Sequence, residues 1–449
     1  MRLINLVLCV PLLCPAAKAA DEAALLQQIL DRLARLEQQN ADLASQVRDL
    51  RAQLAATTAP SPPTAPSTEE RVAVVEQRTA DLDQVKVESS QRFPIAITGM
   101  ALFNAFSNGP ENGGLQQPPY ASLSSGPSTS GATFRQTVFG LSFHGPETFL
   151  GGHVSGNVEA DFAAGSGLYS NYGFRLRTGT VQLDWTDQSV TVGVDRPLIS
   201  PRSPDSLAEV AEPALAAAGN LWFWQPQVRF EQRFSLGDNM GFRAQAALYQ
   251  TNETAYYQPV AGQPTAETAR PGYQGRFEFW RHAGGRRFEI APGFHASVSH
   301  IGGLSVPSRI FSVDWLVAPL PKLEFTGEFF DGSNLGGLGA AGPGFAFHTD
   351  PDSLLPYAVA IHSSAGWAQL SYLATNRLTF HFFGGIQDNR GADLGYGGIS
   401  ANRAFAANAF YRLAPNVLAG LEAIQYRTSY AGQGTRLLNR YDLALAYLF

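Results

Sequence analysis

The chain has 449 residues, 45% of them hydrophobic, and a formal net charge of -6. So mild an acidic balance offers a phosphate backbone no attraction, which excludes nucleic acid as a partner. Beyond residue 20 there is no run of about 18 apolar residues, which excludes a helical membrane bundle and leaves a β-barrel as the membrane-crossing architecture open to this chain.

Residues 1–19 read as a secretory signal: Arg2, an apolar run from Leu3 to Leu13, and Ala17-Lys18-Ala19 as a small-x-small cleavage site. Both cysteines, Cys9 and Cys14, fall inside it, and Leu13 is too large to precede a lipidated Cys. The exported chain is therefore expected to carry no thiol, disulfide or Cys-based metal site. In residues 21–56, Leu26, Ile29, Leu33, Leu36, Asn40, Leu43, Val47, Leu50 and Leu54 alternate spacings of three and four, the a/d seam of a coiled coil. Asn40 on that seam would fix register at some cost in stability. Residues 57–68 include Ala59-Pro60-Ser61-Pro62-Pro63-Thr64-Ala65-Pro66, a semi-rigid linker. A weakly helical neck is expected at 69–92, from Val72, Val75 and Leu82.

From Phe93 the hydrophobic period changes to two and stays so to Phe449. The alternation predicts sixteen strands: Phe93–Phe106, Arg135–Phe143, Gly152–Phe162, Tyr172–Trp185, Val190–Asp195, Leu221–Phe234, Met240–Gln250, Tyr273–Arg281, Phe288–Ser299, Arg309–Ala318, Lys322–Phe330, Gly366–Ala374, Arg377–Gln387, Arg403–Arg412, Val417–Tyr430 and Arg436–Phe449. Short connections such as Thr186–Gln188 and Thr375–Asn376 alternate with long ones, among them Ser107–Phe134, Arg196–Asn220, His300–Ser308 and Asp331–Ala365. An all-β transmembrane barrel at 93–449, preceded by the helical coiled coil, is the expected fold class, with the short turns periplasmic. In Phe174–Trp185 the alternation slips near Gly179, where a bulge would restore it. In the final strand Tyr441, Leu443, Leu445, Tyr447 and Phe449 form an apolar stripe for lipid. Its terminal Phe is expected to be read by the barrel-assembly machinery.

Polar positions on the alternate face belong to the lumen. The basic ones expected there are Arg175, Arg177, Arg229, Arg233, Arg243 and Arg276; the acidic ones are Glu289, Asp314, Glu324 and Glu328. Two arrangements stay open: opposed basic and acidic walls that set a transverse field, or local Arg–carboxylate pairing that also draws in Glu159, Asp161 and Asp184. A barrel of this size is too wide for side chains to fill. The segment Arg196–Asn220, with Arg196, Arg202 and Asp205, is expected to fold inward as a constriction. Eight scattered histidines have no metal-ligand spacing, and no nucleophile elbow or phosphate-binding loop occurs, so neither catalysis nor a cofactor or metal is expected.

The order of leader, heptad helix, Pro-rich spacer and barrel resembles the DcaP-like trimeric porins of Gram-negative outer membranes. The likeness is sharpest at Phe174-Arg175-Leu176-Arg177, Val192-Gly193-Val194-Asp195-Arg196-Pro197 and Trp224-Gln225-Pro226-Gln227-Val228-Arg229-Phe230. The architecture covers the whole chain and these motifs only residues 172–234. Asp195-Arg196-Pro197 departs from the family, which often keeps an aromatic before the loop. The resemblance implies a homotrimer, passive diffusion of small solutes, a leaning toward organic anions such as dicarboxylates, and pore-lining roles for Arg175, Arg177 and Arg229. The expected partners are therefore outer-membrane lipid, further copies of the chain and small solutes. The coiled coil would help trimerise the barrel or brace it against peptidoglycan. The rival reading makes the barrel a mere anchor for an envelope tether.

Overall fold

The computed structural model describes residues 95–164, 172–251, 266–267, 271–301 and 304–449, together with Gln38. The leader, coiled coil, linker and neck read at 1–92 otherwise lie outside the described residues.

The strands are β1 (Ile95–Asn108), β2 (Thr129–Thr133), β3 (Val138–Glu147), β4 (His153–Ala164), β5 (Gly173–Asp184), β6 (Gln188–Asp195), β7 (Gln225–Ser235), β8 (Met240–Gln250), β9 (Ala266–Glu267), β10 (Pro271–Ala283), β11 (Arg286–Ile301), β12 (Leu304–Leu320), β13 (Leu323–Ser333), β14 (Phe345–Thr349), β15 (Pro356–Ala360), β16 (His362–Leu373), β17 (Leu378–Asn389), β18 (Ile399–Ala414), β19 (Val417–Tyr430) and β20 (Gly434–Leu448). β14 and β15 form a separate hairpin, and β2 and β9 are short additions that pair along β1 and β11. The other sixteen make one closed antiparallel barrel. Closure runs through β1 and β20, in register from Met100↔Leu448 to Asn108↔Arg440. Gly99 and Phe449 then exchange backbone hydrogen bonds at 3.0 and 3.1 Å.

Period-two alternation sorts the side chains. On β20, Tyr441, Leu443, Leu445 and Tyr447 are 47–60% exposed, whereas Arg440, Asp442, Ala444 and Ala446 are at most 6% exposed. The same split recurs on β7, β8 and β11, where Val228, Phe230, Phe242, Leu248, Phe288 and Phe294 point outward and Gln227, Gln245 and His295 are buried. The outer wall is thus apolar and the inner wall polar, the reverse of a soluble barrel.

Three expectations need correcting, and the bulge expected near Gly179 is found and located. The connection drawn from His300 to Ser308 is only residues 302–303, because β11 and β12 pair from Arg287↔Ala318 to Ile301↔Leu304. Its Gly, Ser and Pro content suggests a loop, but Val306, Ser308 and Ile310 keep the inward parity and are buried; tertiary pairing overrides the local signal. The long segments after β1 and β13 contain β2 and the β14–β15 hairpin. The bulge on β5 lies at Arg177, skipped between Glu159↔Thr178 and Ala160↔Leu176, two residues before Gly179. Finally, β7 begins at Gln225, not Leu221. Trp222 is buried, with its backbone N–H on the Leu338 carbonyl at 2.9 Å, so it faces no lipid.

Candidate functional site: the barrel interior

Segment 196–224 joins β6 to β7, and its course defines the interior. Apolar residues that would be wasted on an outer loop are buried in it: Leu198, Ile199, Leu207, Leu215 and the alanines from Ala214 to Ala218. Its first part docks on β10–β13. The Leu198 N–H donates to Gln274 Oε1 at 2.6 Å; Ser200 Oγ and the Arg202 N–H donate to the two Glu328 oxygens at 2.7 and 2.8 Å. It then passes β16, β18 and β19, where the Asp205 N–H donates to Gln369 Oε1 (2.7 Å) and Ser206 Oγ to Glu422 Oε2 (2.7 Å). On the opposite wall Asn104 and Gln136 hold the carbonyls of Leu207 and Ala208 at 2.7 Å each. Arg177 and Arg175 take those of Val210 and Ala211 at 2.8 and 2.7 Å. Returning, the Ala217 carbonyl accepts from Asn402 Nδ2 at 2.8 Å.

Backbone contact this close requires missing side chains. A Cβ on Gly219, whose φ is 101°, would lie 2.2 Å from the Gly366 carbonyl oxygen, and one on Gly385 would lie 2.1 Å from that of Ala218. Glycine is therefore built in where the segment touches β16 and β17.

The six arginines do not form one wall. Arg229, Arg233, Arg243 and Arg276 share a cavity of ≈ 640 Å³ with Arg202 of the crossing segment, facing Asp187, Glu231, Glu278 and Glu289. Arg175 lines a separate cavity of ≈ 130 Å³ with Arg135, Glu212 and Arg440. The bulge lets both Arg175 and Arg177 reach the fully buried Asp161, at 2.7 and 3.1 Å. Their guanidinium carbons also lie 5.2 and 4.8 Å from the Trp224 ring centroid, a cation–π stack that fixes the end of the segment.

Local pairing runs throughout. Arg276 makes a two-pronged contact with Asp314 (2.7 and 2.8 Å) and a third with Glu278 (2.6 Å). Arg202 bridges Glu289 at 2.6 Å and Asp314 at 3.2 Å. Arg233 meets Asp184 at 2.9 Å and Glu231 at 3.3 Å; Arg243 lies 3.7 Å from Glu231 and 3.6 Å from Glu278; Arg229 is 3.4 Å from Asp195. Of the acidic positions, Glu289 lines the larger cavity, Asp314 backs it, and Glu328 lies beneath the segment. Glu324 stands apart, paired with Arg287. Arg196 is spent on Ser203 and Asn220, and Asp205 on Gln369 and His381. Burial lowers the Arg196 pKa. At Arg202 burial opposes the charge, yet the hydrogen bond it donates to Glu289 and the Asp314 charge carry its pKa above the ordinary value.

Reasoning from sequence passed over the polar residues that seat the segment: Asn104, Gln136, Gln369, Asn402, Asn408, Glu422 and, on the segment itself, Glu209. Each occupies the inward parity of its strand or a buried turn, a signal that marks position without naming a partner. Glu209 accepts from Tyr426 Oη at 2.8 Å, and Asn408 donates to Glu422 at 3.0 Å.

The fold is that of an outer-membrane porin. Over 79% of this chain and 97% of the other, it is similar to the outer membrane channel DcaP of Acinetobacter baumannii, with a TM-score of 0.62 at 15% identity. An anion-selective porin from Comamonas acidovorans aligns over 79% of this chain and 99% of its own, with a TM-score of 0.52 at 11% identity. No family model and no curated relative matches the sequence.

Proposed function

We propose that this chain is an outer-membrane porin, a passive diffusion channel for small hydrophilic solutes that favours small organic anions such as dicarboxylates. The observation that carries this reading is a closed sixteen-strand barrel, apolar outside, whose polar interior is crossed by segment 196–224 yet keeps an arginine-lined cavity. The crossing segment acts as the constriction. Within the cavity Arg243 and Arg233 are the more exposed cations, at 38% and 30%, so they meet a passing anion first. Five arginines and four carboxylates line the cavity, and Asp184, Asp195 and Asp314 pair with three of those arginines from its wall, so the exposed cations rather than the net charge set the preference. The anion preference is accordingly modest, and its direction agrees with the selectivity in the name of the Comamonas porin. The barrel works as a homotrimer, with the coiled coil of 21–56 on the periplasmic side. Purified full-length protein in planar bilayers should give discrete conductance steps and, in a salt gradient, a reversal potential on the anion side. A cation-side potential would overturn the selectivity, and absence of steps the channel itself. Deleting residues 21–90 should leave conductance intact, whereas a tether would lose its function with that segment.

A further inference from the structure

The outer wall at β17–β20 departs from the uniform apolar band, and we infer that it is a binding site for a phosphorylated lipid of the outer leaflet. Two observations meet there. Ala407, Ala409 and Ala423 make the floor of a groove of ≈ 910 Å³, with Phe380 and Phe382 along one side and Tyr441 and Leu443 along the other. Small residues between bulky ones on a lipid-facing wall leave a channel the width of an acyl chain. Further along the same outward ladder the register runs Ala407↔Ala423, Phe405↔Gln425, Arg403↔Arg427, so two arginines stand directly opposite each other. Like charges at paired positions repel, and these two are poorly compensated. Arg403 reaches Asp388 only at 3.9 Å, and Arg427 spends its Nε on Gln425 at 2.8 Å. Their lateral neighbours Ile386 and Leu437 are apolar and outward.

Four residue steps of strand carry the arginine pair from the alanine pair Ala407↔Ala423, about 13 Å at the usual rise. Arg427 lies three positions before the end of β19, beside the turn to β20. That is the level of headgroups on the side away from the short turns, with the groove below it at acyl depth. A phosphate seated between Arg403 and Arg427 would relieve their repulsion through charge-assisted hydrogen bonds, while a chain of the same lipid fills the groove. The charge pair argues for an anionic amphiphile over a second copy of the barrel, which would have to bury both cations. The inference rests on the barrel spanning the membrane and not on what it conducts.

Native mass spectrometry of the full-length protein in detergent, loaded with bis-phosphorylated lipid A or with zwitterionic phosphatidylethanolamine, tests it. The phosphorylated lipid should be retained roughly tenfold better, equivalent to one charge-assisted contact. R403Q/R427Q should bring retention down to the zwitterionic level, R403K/R427K should largely restore it, and A407F/A423F should lower it with the arginines intact. Equal retention of both lipids by the unaltered protein, or unchanged retention in the Gln and Phe variants, would overturn the site. So would a change of oligomeric state in R403Q/R427Q, which would make this face an interface between copies. Bilayer conductance, measured in parallel, reports the porin reading separately.

Discussion

Single residues decide how firmly the crossing segment is seated. Asp161 is fully buried and holds both Arg175 and Arg177. Removing one partner of a buried ion pair strands the other, at about 3–5 kcal/mol. Asp161→Asn should therefore lower stability by that order in urea unfolding from micelles. It should also move the reversal potential further toward anions, because a positive charge is released into the interior. Gly385→Leu acts by volume: its Cβ has no room beside the Ala218 carbonyl. We expect a loss of about 1–3 kcal/mol from overpacking, together with raised conductance as the segment shifts off β17. Glu209 gives a pH dependence. Burial first, and the Glu422 charge second, push its carboxyl up to about 8, against the pull of Arg440 and the Tyr426 hydrogen bond; Asp442 adds to the rise. A raised carboxyl binds its proton more tightly folded than unfolded. Stability from this group is thus complete below the ordinary value near 4.5 and is lost as pH rises toward 8. Melting temperature should decline from pH 5 to pH 8, and Glu209→Gln should flatten that decline; an unchanged slope would exclude Glu209 as its source.

The secondary-structure elements were far more legible than the interior. Sixteen strands follow from alternation because the lipid face demands an apolar residue at every second position, as Tyr441 to Tyr447 show, and that demand is local. Strand ends are not local. β11 and β12 run through Gly, Ser and Pro residues since their pairing partners are present, and Trp222-Phe223-Trp224 reads as strand although it ends the crossing segment. The inward course of 196–224 could be guessed from its alanine run and prolines, but its seating depends on Asn104, Gln136, Gln369, Asn402 and Glu422, single residues from strands far apart in the chain. Nor did strand parity show that Arg276, placed with the basic set, is locked to Asp314 of the acidic set. Excising residues 203–218 should raise single-channel conductance severalfold while leaving the barrel circular dichroism intact. Unchanged conductance would mean that the limiting aperture lies elsewhere.

At the scale of the molecule the barrel separates two solvents, and a charge on the wrong side should register at once. Leu445→Arg places a guanidinium on the outer wall, at about 2–4 kcal/mol if it sits at the bilayer midplane, and should slow insertion into lipid vesicles measured by tryptophan fluorescence. A polar substitution at the neighbouring inward Ala444 should be milder. The crossing segment has one more consequence at this scale. It is hydrogen-bonded to β10, β13, β16, β18, β19, β1 and β5 in turn, so it joins opposite sides of the ring as a crossbeam does. A hollow cylinder in a bilayer yields to lateral pressure by flattening into an ellipse, and a crossbeam resists that mode along its length. The same segment that narrows passage would keep the cross-section round when the surrounding membrane is compressed.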